Sequence, residues 1–98
     1  MSASMLQAGQ QGEVPIGAVI VYNSKIIAEA RNNMEKSGDP TQHAEILAIQ
    51  SAVKRIGRFK LPECVMFVTS EPCPMCAGAL LQARVGTVVY GEIGRAHV

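Results

Sequence analysis

Glu71-Pro72-Cys73-Pro74-Met75-Cys76 follows His43-Ala44-Glu45 by about thirty positions, and the rest of the chain reads as scaffold for the meeting of the two. Two cysteines at i and i+3, a His well upstream and a carboxylate two residues beyond it supply three protein ligands and an acid/base, the set an open catalytic zinc site requires. A lone C-x-x-C serves structural zinc knuckles and redox dithiols equally well. Here the pair opens a predicted helix, where unpaired N–H groups and the helix dipole favour thiolate over thiol. Pro74 falls in the first turn, where its missing N–H costs little, and together with Pro72 it stiffens the approach. His43 lies in the opening turn of a second predicted helix. Two helix N-termini can therefore converge on one metal at one edge of a sheet, which is where open α/β sheets place ligands.

One neutral imidazole and two thiolates would leave zinc formally neutral, so water beside it is acidified less than in an all-histidine site. A carboxylate base then matters more, and Glu45 is the candidate. Spacing does not fix its direction, since residues two apart do not share a helical face. Taken singly, His43 reads as a cap or core histidine and Glu45 as a first-turn carboxylate favoured by the dipole. A closed structural zinc site of His43, Cys64, Cys73 and Cys76 is a further reading. It leaves Glu45 without a role and asks a strand cysteine to reach the helix ends.

Outward from the two motifs the chain reads as alternating strands and helices. Residues 3 to 11 form a short predicted helix with Met5, Leu6 and Ala8 inward, and residues 13 to 17 a bend. Ala18 to Tyr22 and Lys25 to Ala30 are β-branched runs separated by Asn23-Ser24, a hairpin pattern. Asn32 to Pro40 is a polar loop. At its end Asp39 is a good N-cap, Pro40 suits the first helical position and Gln42 completes a capping box, so a helix is predicted to start there. It runs apolar on several sides from Ala44 to Ile56, and Gly57 stops it. Cys64 to Thr69 reads as a central strand covered on both faces. Pro74 to Arg84 is a helix with Gly86 as its stop, and Thr87 to Tyr90 a last strand. Parallel strands joined through helices indicate an α/β sandwich.

The chain has 98 residues, 48% apolar and 17% charged, which suits one compact domain. A net charge of +1 gives no global argument for nucleic acid, membrane or acidic partners. The one basic cluster, Lys54, Arg55, Arg58 and Lys60, reads first as a solvated helix end and second as a phosphate contact. With no secretory leader pattern and no apolar run of spanning length, the expectation is an intracellular, cytoplasmic protein. Its three cysteines are then thiols or metal ligands, with Cys64 a core residue. Residues 92 to 98 leave the strand pattern abruptly, and Ile93-Gly94-Arg95-Ala96-His97-Val98 resembles the translation of a common sequencing adapter. The expectation is a partial domain over 1–91 followed by a non-native tail over 92–98, with His97 excluded as a ligand.

His43-Ala44-Glu45 followed by Pro72-Cys73-x-x-Cys76 resembles the signature of the zinc-dependent nucleobase deaminases. The wider wording, Glu13-Val14-Pro15-Ile16-Gly17-Ala18-Val19, residues 39–45 and Glu71 to Ala79, is similar to the bacterial tRNA-specific adenosine deaminases within that superfamily. The likeness covers residues 12 to 91. It implies a three-layer α/β/α sandwich of cytidine deaminase type with a mixed sheet, lacking the last strand and the C-terminal helices. It implies one zinc held by His43, Cys73 and Cys76, with water in the fourth position and Glu45 shuttling its protons to an adenine. Asn32 falls where the family has a base-contacting Asn, the Ala44 N–H lines the same pocket, and Val14, Pro15 and Ile16 form its apolar wall. The implied partner is a tRNA anticodon loop, whose wobble adenosine is turned out and converted to inosine. Full-length members of the family work as homodimers. A guanine, cytosine or nucleoside deaminase acting on small substrates and a non-catalytic zinc-binding module are the competing functions.

Overall fold

The computed structural model describes residues 17–91. The helix expected over residues 3–11, the wall of Val14, Pro15 and Ile16, and the tail over 92–98 lie outside the described residues. β1 (Gly17–Tyr22) and β2 (Lys25–Arg31) form the expected hairpin. Asn23 and Ser24 turn it with φ of 52° and 62°, the paired left-handed geometry that matches the twist of two strands. The register slips between Ile20 and Val21, where Ala28 and Ile26 are the successive partners and Ile27 is the extra residue of a bulge.

The sheet has four strands in the order β2-β1-β3-β4. β3 (Val65–Val68) lies antiparallel to β1, and β4 (Thr87–Tyr90) parallel to β3. β2, β3 and β4 thus run one way and β1 against them. The crossovers between co-directional strands pass through α2 (Ala44–Ile56) and α3 (Pro74–Gln82). Both helices cover the same face. Ala44, Ala48, Ile49 and Ala52 of α2 and Leu80 of α3 join Ala18, Ile20, Ala28, Met66 and Val68 of the sheet in one core. Among the described residues no helix is long and apolar enough to cross a membrane.

Five expectations are corrected. The polar loop after β2 contains a one-turn helix, α1 (Met34–Ser37), closed by Gly38 at φ 73°. The long helix starts at Ala44, not at Pro40, because Asp39 is engaged locally: its Oδ1 accepts the Thr41 N–H at 2.8 Å and the Thr41 hydroxyl at 2.6 Å. Gln42 does not complete a capping box; its side chain pairs with Asn33. Among the described residues β3 is covered on one face only, since Phe67 is 39% exposed between buried Met66 and Val68. Finally, α3 stops at Gln82 and the chain turns at Arg84 with φ 56°. Gly86 serves a close approach instead, as a Cβ there would run into the Pro62 carbonyl oxygen.

Candidate active site

His43 and Cys73 occupy equivalent places, the N-caps of α2 and α3. Each has extended backbone, with φ −75° and ψ 152° at His43 and φ −71° and ψ 169° at Cys73. Cys76 follows in the first turn of α3 and is fully buried. The fold turns both helix starts toward one point. His43 Nδ1 lies 3.6 Å from Cys73 Sγ and 3.5 Å from Cys76 Sγ, and the three donor atoms fall within 4.8 Å of one another. A tetrahedral zinc with ordinary Zn–S and Zn–N lengths would separate sulfur and nitrogen by about 3.6 Å. The donor set, its spacing and its chemistry therefore fit a zinc ion, and Nδ1 is the ring nitrogen that faces it. Cys64, although 1% exposed, is absent from this cluster.

The thiols differ in their surroundings. The backbone N–H of Cys76, with that of Met75, faces the Cys73 sulfur and holds its pKa below the usual thiol value against a small burial penalty. Burial pushes Cys76 well above that value, and the hydrogen bond with Cys73 and the charge of Glu45 add to it. A coordinated divalent cation reverses this cost, since a coordinating thiol is deprotonated outright. Cys64 is raised by burial and lies apart, as expected of a core cysteine.

Glu45, in the first turn of α2, is a buried carboxyl at 5% exposure. Its charge acts on the Cys76 thiol and helps to push that thiol's pKa up. It therefore lies beside the cluster without belonging to the three donors. Asn32, the residue after β2, accepts the Ala44 N–H with its Oδ1 at 2.8 Å. That N–H is therefore engaged within the protein. A half-open cavity of about 540 Å³ adjoins Asn32, lined also by Arg31, Asn33, Met34 and Leu47, and contains none of the four residues above. Thr69 ties the chain after β3 to the start of β1, its hydroxyl accepting the Gly17 N–H at 3.1 Å and its own N–H donating to the Gly17 carbonyl at 3.2 Å. Sequence reasoning missed Asn33 and Gln42 as residues that hold the segment carrying His43. Of these only Gln42 carried a signal, and it pointed to a cap.

The family model for MafB19-like deaminase matches residues 1–95. The tRNA-specific adenosine deaminase of Bacillus subtilis is 49% identical over 85 residues, which cover 87% of this chain and 53% of that protein. Among solved structures, guanine deaminase from Bacillus subtilis superposes with a TM-score of 0.81 at 43% identity, over 91% of this chain and 57% of the other. A structure from work on A-to-I editing by tRNA:A34 deaminases at the wobble position gives 0.79 at 40% identity, over 91% and 69%. The chain spans about half the length of the curated tRNA and guanine deaminases it matches.

Proposed function

The chain belongs to the MafB19-like deaminase family, and from that premise we propose that it is the catalytic core of a zinc-dependent hydrolase that converts adenosine to inosine at the wobble position of tRNA. The observation that carries the proposal is the meeting of His43 Nδ1 with the two cysteine sulfurs beside a buried Glu45. His43, Cys73 and Cys76 hold one zinc. Bound there, zinc supplies a Lewis acid that makes water easier to deprotonate near neutral pH.

Glu45 accepts a proton from the water that attacks the amino-bearing carbon of the purine. It passes that proton to the ring nitrogen and then carries the remaining proton of the added hydroxyl to the departing amine, so that water and adenosine become inosine and ammonia. Asn32 donates from Nδ2 to an acceptor on the base, its amide being oriented by the bond from Ala44 N–H. Val14, Pro15 and Ile16 complete the pocket wall. The adenosine is presented from the anticodon loop, turned out of its stack. The protein works in the cytoplasm, and two copies pair in the full-length form; Met75 and Leu81, exposed on α3, support that pairing.

Formation of inosine in an anticodon stem-loop RNA tests the reading, with the C-terminal region of a tRNA-specific adenosine deaminase joined after Gly91 and Glu45→Ala as the comparison. Activity falls by about 10²- to 10⁴-fold in Glu45→Ala while zinc content stays unchanged. Undiminished inosine from that variant sinks the proposal. The TM-score of 0.81 to a guanine deaminase supports a second reading, action on a free purine base. Deamination of guanine without deamination of the RNA would select it.

A further inference from the structure

Asn33 and Gln42 take no part in the chemistry above, yet they are joined twice. The Asn33 N–H donates to the Gln42 carbonyl at 3.0 Å, and Asn33 Nδ2 donates to Gln42 Oε1 at 2.9 Å. Asn32, the residue before Asn33, accepts with its Oδ1 the N–H of Ala44, two residues after Gln42. His43 is thus bracketed: the residue before it is tied to Asn33 and the residue after it to Asn32, both at the end of β2. On the helical side, packing also holds the chain, since Ala44 is fully buried. On the loop side α1 has no buried residue, and Pro40 and Thr41 are exposed. There the Gln42 N–H donates to the Asp39 carbonyl at 3.2 Å and the His43 N–H to the Thr41 carbonyl at 2.8 Å, bonds local to the segment, and the hydrogen bonds to Asn33 are what tie it to the end of β2.

We propose that Asn33 and Gln42 form an amide clasp that positions His43 for metal binding. The proposal rests on reading His43, Cys73 and Cys76 as zinc ligands, and both residues act through the His43 backbone. α3 fixes the two sulfurs, so the affinity of the site depends on how well the separate segment carrying His43 is held in register with them. Without the side-chain bond, residues 41–43 regain backbone freedom that the metal must remove on binding. Residues that orient metal ligands in this way typically change affinity by about 10- to 100-fold.

The test is zinc affinity, measured on the whole chain by competition with a chromophoric chelator, for Asn33→Ala, Gln42→Leu and the double variant. Far-UV circular dichroism sets a temperature at which all are folded. Each single variant binds zinc about ten-fold more weakly. The double variant loses no more than either single one, because both remove the same bond. Gln42→Asn keeps an amide but withdraws it from Asn33, is the variant least prone to misfold, and shows the same loss. Cobalt(II) bound in place of zinc gives thiolate absorption of altered shape in the variants, a readout that a change in loop stability alone would leave in place. Single variants within two-fold of the unaltered chain overturn the clasp, and so does a double variant that loses the product of the two single losses. His43→Ala separates the two levels: if it binds zinc as tightly as the unaltered chain, the ligand assignment falls and the clasp falls with it.

Discussion

Replacing Ala48 with leucine probes how the fold delivers His43 and Glu45 to the site. Ala44, Ala48 and Ala52 recur at i, i+4 and i+8 on α2 and all are fully buried. They lie in the core with Ala18 of β1 and Ala28 of β2, so small side chains on both sides let the helix sit close to the sheet. A leucine that fitted would contribute about 2 kcal/mol from added apolar burial. It has no room: the cavity found among the described residues is lined by Leu47, not by Ala48. Overpacking of this kind costs about 1–3 kcal/mol, and the expected net loss is about 2 kcal/mol. For a chain of this size that lowers the melting midpoint by about 10 °C. The helix is displaced from the sheet and carries His43 away from the sulfurs, so zinc affinity falls as well. Gln50→Leu adds the same kind of side chain at an exposed position of the same helix and should stay within about 0.5 kcal/mol of the unaltered chain. Thermal melts and zinc titration of both variants decide the matter. An Ala48→Leu chain that melts within about 2 °C of the unaltered one and binds zinc as before refutes the close-packing argument.

Gly86→Ala places a Cβ against the backbone of Pro62 rather than against a flexible side chain; the expected cost is about 1–3 kcal/mol, seen as a lower urea midpoint, and an unchanged midpoint removes the argument. Asp39 has a pKa below its ordinary 3.8 because the Thr41 hydroxyl and N–H both donate to it. A depressed carboxyl contributes stability that is complete above the unfolded value and lost as pH falls through the folded one. The melting difference between the unaltered chain and Asp39→Ala should therefore hold constant above about pH 5 and close on acidification below 3.8; a difference that widens in acid would contradict the assignment.

The strands and the body of each helix are legible in the sequence because their cause is periodic: β-branched runs at 18–22 and 25–30, and an apolar repeat from Ala44 to Ile56. What fails is decided by single side chains choosing among partners. Asp39, Pro40 and Gln42 have the right spacing for a helix start, yet Asp39 finds Thr41 and Gln42 finds Asn33, and propensity does not rank those alternatives. Gly86 reads as a helix stop, and only the packing of Pro62 reveals its reason. That His43, Cys73 and Cys76 meet is legible because each helix opens at its motif and the crossovers bring both openings to one side of the sheet. Which ring nitrogen faces the sulfurs and where Glu45 points depend on rotamers, and spacing carries no information on these.

The two N-caps show what the site gives up and how the fold compensates. An N-cap is usually Ser, Thr, Asp or Asn, whose side-chain oxygen satisfies an exposed helix N–H, and losing that bond costs about 1 kcal/mol. His43 and Cys73 form no side-chain cap hydrogen bond. In α2 the task passes to a residue from another element, since Asn32 accepts the Ala44 N–H that opens the helix. In α3 the first helical residue is Pro74, which has no N–H to satisfy, and the next N–H groups turn to the Cys73 sulfur and hold its pKa down. Capping has been moved off the residues that face the cluster in one helix and made partly unnecessary in the other. The imidazole is left free to point at the cluster, and Asn32 is held in place by the bond that satisfies the first N–H of the helix. The bond gives Asn32 a structural part; with the proposed contact to the base added, its substitution should lower stability and base recognition together, whereas loss of Glu45 should affect turnover alone.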